Sequence, residues 1–532
     1  MACGLLATGA RAQTAPGWVS VQRSTSSGPA STSLPYDLAV AADGSQYVTG
    51  TFEGTLTFGA VSVSAGAGLG HVFLVKYSAA GIALWARQLD GFQRKLSPRL
   101  AVDAAGSVYL ASSFSDLLTI GTVSLNGASP SDCFLVKYNA QGAQQWVRQG
   151  GGASDDVSVA TDAVGNVALV GDSPQGGLSF GGTPLAGTGI FYVQFSPAGT
   201  LLQAQRISNG GFTTNVRTDG IGNTYISGGF GLTPTFGTVT LTNSGGMDLF
   251  VCKLDATGNV QWVWRDGGPD DDVAGSVAED GKGNLVVCGV ADRSTTTTGA
   301  RVSKIYVARL SAQGTMVWSR KTASVAAGLA AASAVAYDGR GGYLVTGRFE
   351  NTVFLGTTTL TAIGTQLFVA RYDSQGTVVW AGQAVGATAA DVSSSYNIAA
   401  DASGNGYLAG FIGGNVAFGT ISPVSSTTSG GLDTFLAKLT PGSTLTASRP
   451  AVVAGLLTSY PNPASGQVTV TAPAGGGQLV ILDMLGRKMR AQALPSLAGE
   501  YIVSVAGLPA GLYQLRVTWS NSQIASTQLV VQ

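Results

Sequence analysis

The chain has 532 residues, of which 11% are charged and 45% hydrophobic, with 76 glycines and one histidine, His71. Twenty-nine basic residues balance 29 acidic ones, which argues against a nucleic-acid-binding surface, since that needs a basic excess to displace counterions. The apolar fraction suffices for a large core and excludes a disordered chain, while a single histidine argues against histidine-rich metal sites and a histidine-based catalytic relay.

The first residues are apolar and small and run to Ala10-Arg11-Ala12. Small residues at the −3 and −1 positions are the mark of a secretory cleavage site, so 1–12 reads as a signal segment. It is short and lacks a basic n-region; either the true start lies upstream or this is an Ala-rich terminus. Cys3 has no apolar lipobox before it. No apolar run reaches the ~18 residues of a membrane-spanning helix. Cys133, Cys252 and Cys288 lie in apolar, strand-like runs without CxxC spacing, so they are expected as buried thiols acting as small hydrophobes.

From there a repeat dominates. A turn of the form Asp-x-x-Gly-Asn/Ser, followed by an apolar strand, begins at Asp103, Asp162, Asp219, Asp280, Asp338 and Asp401, with a shortened copy at Asp43, at intervals of 57 to 63 residues. Each copy is followed by Phe/Tyr-apolar-apolar-Lys/Arg, as in Phe73-Leu-Val-Lys76 and Phe134-Leu-Val-Lys137, and then by Gly-x-x-x-Trp, as in Gly81 to Trp85 and Gly142 to Trp146. A Phe-Gly step recurs between them, as at Phe58-Gly59 and Phe418-Gly419. Short aromatic and β-branched runs bounded by Gly, Asn and Ser are strands, and no long 3.6-residue period appears, so helix should be nearly absent. Seven units of four strands predict an all-β fold: a seven-bladed β-propeller over 17–448, its blades burying their faces against one another. Trp18 reads as the tryptophan of an outer strand without its own unit, available to complete the last blade; Gly442 to Thr446 competes for that place. These motifs resemble the bacterial seven-bladed propeller repeats known as SBBP repeats, a resemblance that carries little about activity.

The third repeat lacks both the cation, with Gln194 in its place, and the tryptophan, where the reading places Ala204. A Lys–Trp stack between adjacent strands would explain the joint loss; independent drift in one weak unit is the alternative.

After Arg449 the repeat stops. Residues 449–459 read as a linker and leading strand, and 460–532 as a small Ig-like β-sandwich, with alternating strands, Gly/Pro turns and no helical period. Tyr460-Pro461-Asn462-Pro463, the Asp483-x-x-Gly486-Arg487 step, Leu508-Pro-x-Gly511-x-Tyr513-x-Leu-x-Val517 and an apolar last strand follow in order. That order closely resembles the type A C-terminal sorting domain of the type IX secretion system. The resemblance implies export across both membranes, with that machinery as partner through this domain, followed by removal of the domain and surface attachment or release. The alternative is an ordinary immunoglobulin-like module.

Variable segments between repeats are where recognition residues are expected. Arg94, Lys95 and Arg99 stand in the first such segment, Asp155 and Asp156 in another, and Asp270, Asp271 and Asp272 in a third, close to Trp264, which replaces the arginine of other repeats. Acidic clusters are the oxygen ligands Ca²⁺ takes, but no Asp-x-Asp-x-Asp-Gly loop is present and solvated acidic turns are the plainer reading; no cofactor is expected. His71 stands where other repeats have Asp132, Asp248 or Asp433 and reads as a surface residue at a strand start. With no Gly-x-Ser-x-Gly elbow and no phosphate loop, no catalytic set can be nominated. The expectation is a secreted or surface-displayed monomeric propeller with a binding, adhesive or structural role toward a glycan or protein. An extracellular propeller enzyme acting on polysaccharide is the alternative.

Overall fold

The computed structural model describes residues 17–27, 32–65, 71–91, 97–127, 131–152, 156–322, 328–427, 431–440, 457–472, 477–483, 487–495, 499–519 and 524–532. The expected signal segment 1–12 lies outside these residues, as do Arg94, Lys95, Asp155 and Gly486. The chain divides into two compact units, a large one over Gln13–Gly442 and a small one containing Ser443–Gln532. Every described element of regular structure is a strand.

In the large unit each repeat becomes an antiparallel meander, such as Arg99–Val102, Val108–Phe114, Asp132–Tyr138 and Gln144–Gly151. The turn chemistry explains the first hairpin. The Asp103 carboxylate accepts from the N–H groups of Ala105 (3.0 Å) and Ser107 (2.8 Å), and Gly106 takes φ +77°, a left-handed conformation that glycine adopts at no steric cost. Asp162, Asp219, Asp280, Asp338 and Asp401 accept in the same way. The two middle strands are buried throughout, which is why each carries an apolar run, Val108 to Ala111 and Cys133 to Val136, whereas the outermost strand is half-exposed. Cys133, Cys252 and Cys288 are buried and unpaired, and burial pushes their thiols above the ordinary range.

Adjacent repeats are stapled by the recurring cation and tryptophan. Lys137 and Trp146 are opposite one another. Both donate to the carbonyl of Pro197 in the next repeat, at 3.0 and 3.1 Å, while Arg148 Nε donates to that of Gly199 at 2.7 Å. One repeat earlier, Lys76 and Trp85 share the carbonyl of Ala140. The expected Lys–Trp stack is corrected by this geometry. The lysine lies over a tyrosine ring, as Lys137 over Tyr109 at 4.9 Å, and the arginine over the tryptophan, as Arg148 over Trp146 at 5.4 Å. In the third repeat Gln203, not Ala204, stands opposite Gln194. The two glutamines bond to one another at 2.9 Å, and Gln205 takes over the arginine's bond, to Gly258, at 2.6 Å.

Trp18–Arg23 pairs with Asp433–Leu439, so a strand from the start of the unit joins the last meander. Trp18 itself faces Leu439, and Ser20 stands opposite Lys438, where other repeats have tryptophan. Trp18 instead packs edge-on against Phe418, with ring centroids 5.2 Å apart.

The expectation of a closed, seven-bladed SBBP-like propeller is corrected. No described sheet curls or closes on itself, and the sheets are unequal. Three contain six strands, because a hairpin from one repeat, such as Leu117–Ile120 with Val123–Asn126, continues the sheet of the repeat before it; two- and three-stranded sheets stand beside them. The fold is an all-β, helix-free assembly of many small, open antiparallel sheets.

The small unit has a three-stranded sheet of Thr458–Tyr460, Gln467–Ala472 and Gly499–Ser504. Its four-stranded sheet is built from Lys488–Leu494, Gly477–Asp483, Gly511–Trp519 and Ile524–Val531. Val468, Val470, Leu479, Ile481, Leu515 and Leu529 belong to their common core. The immunoglobulin-like sandwich is corrected as well. The unit is two small open antiparallel sheets tied through Ala464, which makes a parallel bridge to Val531, with Ala464 N–H donating to Val530 (2.8 Å) and Gln532 N–H to Ala464 (2.9 Å). Asn462, between the cis prolines Pro461 and Pro463, donates to the carbonyl of Gln528 and accepts from Val530 N–H, both at 2.8 Å. Tyr513 donates to the carbonyl of Pro509 at 2.8 Å, and Arg487 Nε to the Asp483 carboxylate at 2.6 Å.

Candidate functional site

The first strands of the seven repeats lie side by side in chain order, and the last of them, Val392–Ala400, also packs against the first, Ser33–Val40. Their final residues surround a cavity of about 400 Å³. Three positions before the turn aspartate, or before Ala41, which takes its place in the shortened first turn, the repeats place core residues from Leu38 to Ile398. The next position faces the cavity and holds Ala39, Ala101, Ala160, Arg217, Ala278, Ala336 and Ala399. Six alanines and one arginine thus form one level of its wall.

Below that level a buried polar belt joins neighbouring strands. Asp37 accepts from the N–H of Leu100 on the next strand (2.8 Å) and of Leu38 (2.9 Å), and from the Asn397 amide of the preceding strand. Ser158 accepts from Val216 N–H at 3.2 Å and Asn215 from Val277 N–H at 3.3 Å. Burial raises the Asp37 carboxyl above its ordinary value, opposed by Arg99, Arg217 and its two backbone donors. Burial lowers the Arg217 guanidinium, with Asp37 opposing and Arg99 adding to the effect.

One residue further out, five of these strands carry a bulge, which leaves Tyr36, Thr214, Gly275, Ser333 and Tyr396 outside the regular pairing. Bulges re-aim a side chain and recur next to functional sites. Tyr36 and Tyr396 stack, with centroids 5.8 Å apart and planes 10° from parallel, and Phe411 packs at an angle on Tyr396. All three are half-buried. Arg99 Nη1 donates to the Tyr36 carbonyl at 3.3 Å. Burial raises the Tyr36 hydroxyl foremost; Tyr396 and Asp156 add to this and Arg99 opposes it.

The structure therefore brings Arg99 and Asp156 together around Tyr36. Of the other candidates, the described ones, Asp270, Asp271, Asp272 and Trp264, make different contacts. Asp271 pairs with Arg293 at 3.2 Å and accepts from Met247 N–H at 3.0 Å. Asp272 is buried, accepts from Gly268 N–H at 2.9 Å, and lies 3.6 Å from Lys321. Asp270 is half-buried beside them, and Trp264 packs against the core of its sheet. Asp271 and Asp272 thus bond within the protein, and among the described residues no group of three or more His, Cys, Asp or Glu is placed to hold a metal ion. His71 is buried, not at the surface; its Nδ1 lies 3.2 Å from the Asp90 carboxylate, and its ring packs on Phe52.

Tyr36, Tyr396, Asp37 and Arg217 were missed by the sequence reading. Aligning the repeats on the turn aspartate would have exposed Arg217 as the one break in an alanine column.

Residues 458–532 match the family described as the secretion system C-terminal sorting domain. The chain is thus an exported protein, delivered outside the cell or to its surface, and its partner through this domain is the type IX secretion machinery. No described helix is long and apolar enough to cross a membrane. Part of the chain is 30% identical, over 139 residues, to the regulatory protein FlaEY of Caulobacter vibrioides, covering 25% of this chain and 15% of that protein. Another match, 27% identical over 117 residues, is an uncharacterized WD repeat-containing protein of Acanthamoeba polyphaga mimivirus, covering 20% and 8%. The chain thus spans only a small part of these relatives. Among solved structures it is similar to PorZ, a surface component of the type IX secretion system of Porphyromonas gingivalis (13% identity, TM-score 0.26, covering 93% of this chain and 74% of that one). It is also similar to a Dyadobacter fermentans protein of unknown function (10% identity, TM-score 0.37, covering 80% and 100%). Likenesses of this size carry no argument about the site. A binding or structural role that rests on a propeller is withdrawn along with the propeller.

Proposed function

We propose that the chain is an exported binding protein that acts as a monomer and without turnover, and that its ligand docks where the first strands of the repeats converge. The stacked Tyr36–Tyr396 pair carries this reading: two adjacent strands each depart from regular pairing to present a half-buried aromatic ring at one place. Aromatic faces with a polar tip are the surfaces that pack against sugar rings and partner side chains. Arg99 and Asp156 add charge of both signs beside the pair.

The test uses the full chain on an array of extracellular glycans, with the solution phase assayed for released sugar. The expected result is retention of a glycan class without product, abolished by Tyr36→Ala with Tyr396→Ala. Product formation would replace this reading with an enzymatic one; retention unchanged in the double variant would place the site elsewhere.

A further inference from the structure

Arg217 has no structural duty of the kind that occupies several other strand cations. Arg371 pairs with Asp338 at 2.6 Å, Arg309 with Asp280 at 3.6 Å, and Arg87 and Arg148 staple the next repeat. Arg217 donates through Nη1 to the carbonyl of its neighbour Val216 at 3.1 Å, and no carboxylate among the described residues lies within 4.0 Å of its guanidinium. Asp37, the acid whose charge acts on it, is already engaged by three donors, Leu38 N–H on its own strand and Leu100 N–H and the Asn397 amide on neighbouring ones. Glu279, the other charged residue of the wall, accepts from Gly283 N–H at 2.5 Å in its own turn.

Six repeats fill the same position with alanine, so the fold does not require a long side chain there. Removing a guanidinium from bulk water without a counter-charge in direct contact is costly. The same five-donor fork is well suited to a planar or tetrahedral oxyanion. Alanine walls leave room beside it, and the cavity is the size of sites that take small ligands.

We propose that the cavity is an anion-receiving site in which Arg217 holds a carboxylate or sulfate group of the ligand. This rests on the reading that ligand docks where these strands converge, and it adds that the ligand, or the arm of it that enters the cavity, is acidic.

The experiment titrates the full chain calorimetrically with sodium sulfate and with sodium glucuronate at constant ionic strength, with glucose as the neutral control. Arg217→Ala copies the residue of the six sister repeats, so it should fold; circular dichroism and the melting temperature check this. The expected result is saturable binding of at least one anion, none of glucose at the same concentrations, and a loss of about tenfold or more in Arg217→Ala, as for a hydrogen-bonded charge pair. No anion binding by the wild type, or equal binding by the folded variant, overturns the proposal. The outcomes also separate the two readings. Glycan retention through the tyrosines without anion binding leaves the docking site and removes the acidic arm. Anion binding through Arg217 without glycan retention leaves the cavity site and removes the glycan.

Discussion

Lys137 and Trp146, neighbours across two strands of one sheet, donate to a single carbonyl, that of Pro197 in the following repeat. The two residues therefore act between repeats rather than on each other. Trp146→Phe keeps an aromatic ring and removes the 3.1 Å bond, so it should cost about 1 kcal/mol. Lys137→Met should cost a similar amount. Because the carbonyl keeps one donor in either single variant and none in the double, the double should lose more than the sum. Urea denaturation of the four proteins, read as a double-mutant cycle, measures this; strict additivity would show that the shared acceptor has no energetic meaning.

Gly199 and Gly258 occupy equivalent turns, yet their surroundings differ. Both are left-handed, with φ +78° and +83°. A Cβ at Gly199 would lie 2.8 Å from Cδ2 of the Trp146 ring, whereas one at Gly258 would meet the amide ends of Gln205 and Gln203. A glutamine end can swing aside; an indole wedged between sheets cannot. Gly258→Ala should thus cost about 1–2 kcal/mol, from backbone strain and one weakened hydrogen bond, and Gly199→Ala clearly more. Equal midpoint shifts for the two variants would contradict the packing described for Trp146.

Asp37 gives the large unit a pH dependence of definite sign. Burial raises its carboxyl above the ordinary 3.8, so the folded protein holds this proton more tightly than the unfolded chain. Its contribution is fully present below the unfolded value and is lost as pH rises through the raised folded value. Asp37→Asn removes that titration and leaves one of the backbone donors, at Leu38 or Leu100, without an acceptor, a loss of about 1–3 kcal/mol. The deficit of Asp37→Asn relative to wild type should therefore be largest near pH 4 and shrink as pH rises. Denaturation midpoints of both proteins from pH 4 to 8 check this, and a deficit that grows with pH would reverse the assignment.

Local chemistry was the part of the fold most legible in the sequence. The turn aspartates bind their own backbone, as Asp103 does, so their spacing marks the hairpins without tertiary information. Burial of the middle of strands such as Asp132–Tyr138 follows from the apolar run Cys133 to Val136. How the sheets join was not legible, because hairpins such as Leu117–Ile120 with Val123–Asn126 continue a neighbouring sheet through backbone bonds that no side-chain pattern records. The position of the lost tryptophan was legible but misread: Gln203, four residues after Gly199, occupies the tryptophan's place opposite Gln194. At the candidate site Arg99 and Asp156 were recognised by charge. The tyrosine pair was not, since bulges, not periodicity, set those rings side by side. Asp271 and Asp272 were candidates by charge alone, and their engagement by Arg293, Lys321 and Gly268 rests on tertiary contacts that the sequence does not record.

In the small unit, Asn462 ties the Tyr-Pro-Asn-Pro segment to the last strand with one donated and one accepted hydrogen bond. The segment is thereby coupled to the strand whose residues, Leu529 and Val531, complete the core. Asn462→Ala leaves the carbonyl of Gln528 and the N–H of Val530 to solvent. Since both bonds are exposed, the cost should be modest, about 1–2 kcal/mol. Leu515→Ala, deep in the same core, should cost about 2–5 kcal/mol. If the machinery reads a folded sorting domain, surface delivery should fall in the order of these losses, with Leu515→Ala the worse. Quantifying surface and periplasmic fractions of both variants beside a chain truncated before residue 458 measures this. Delivery lost in Asn462→Ala but kept in Leu515→Ala would show instead that the segment is read directly, by its own exposed residues.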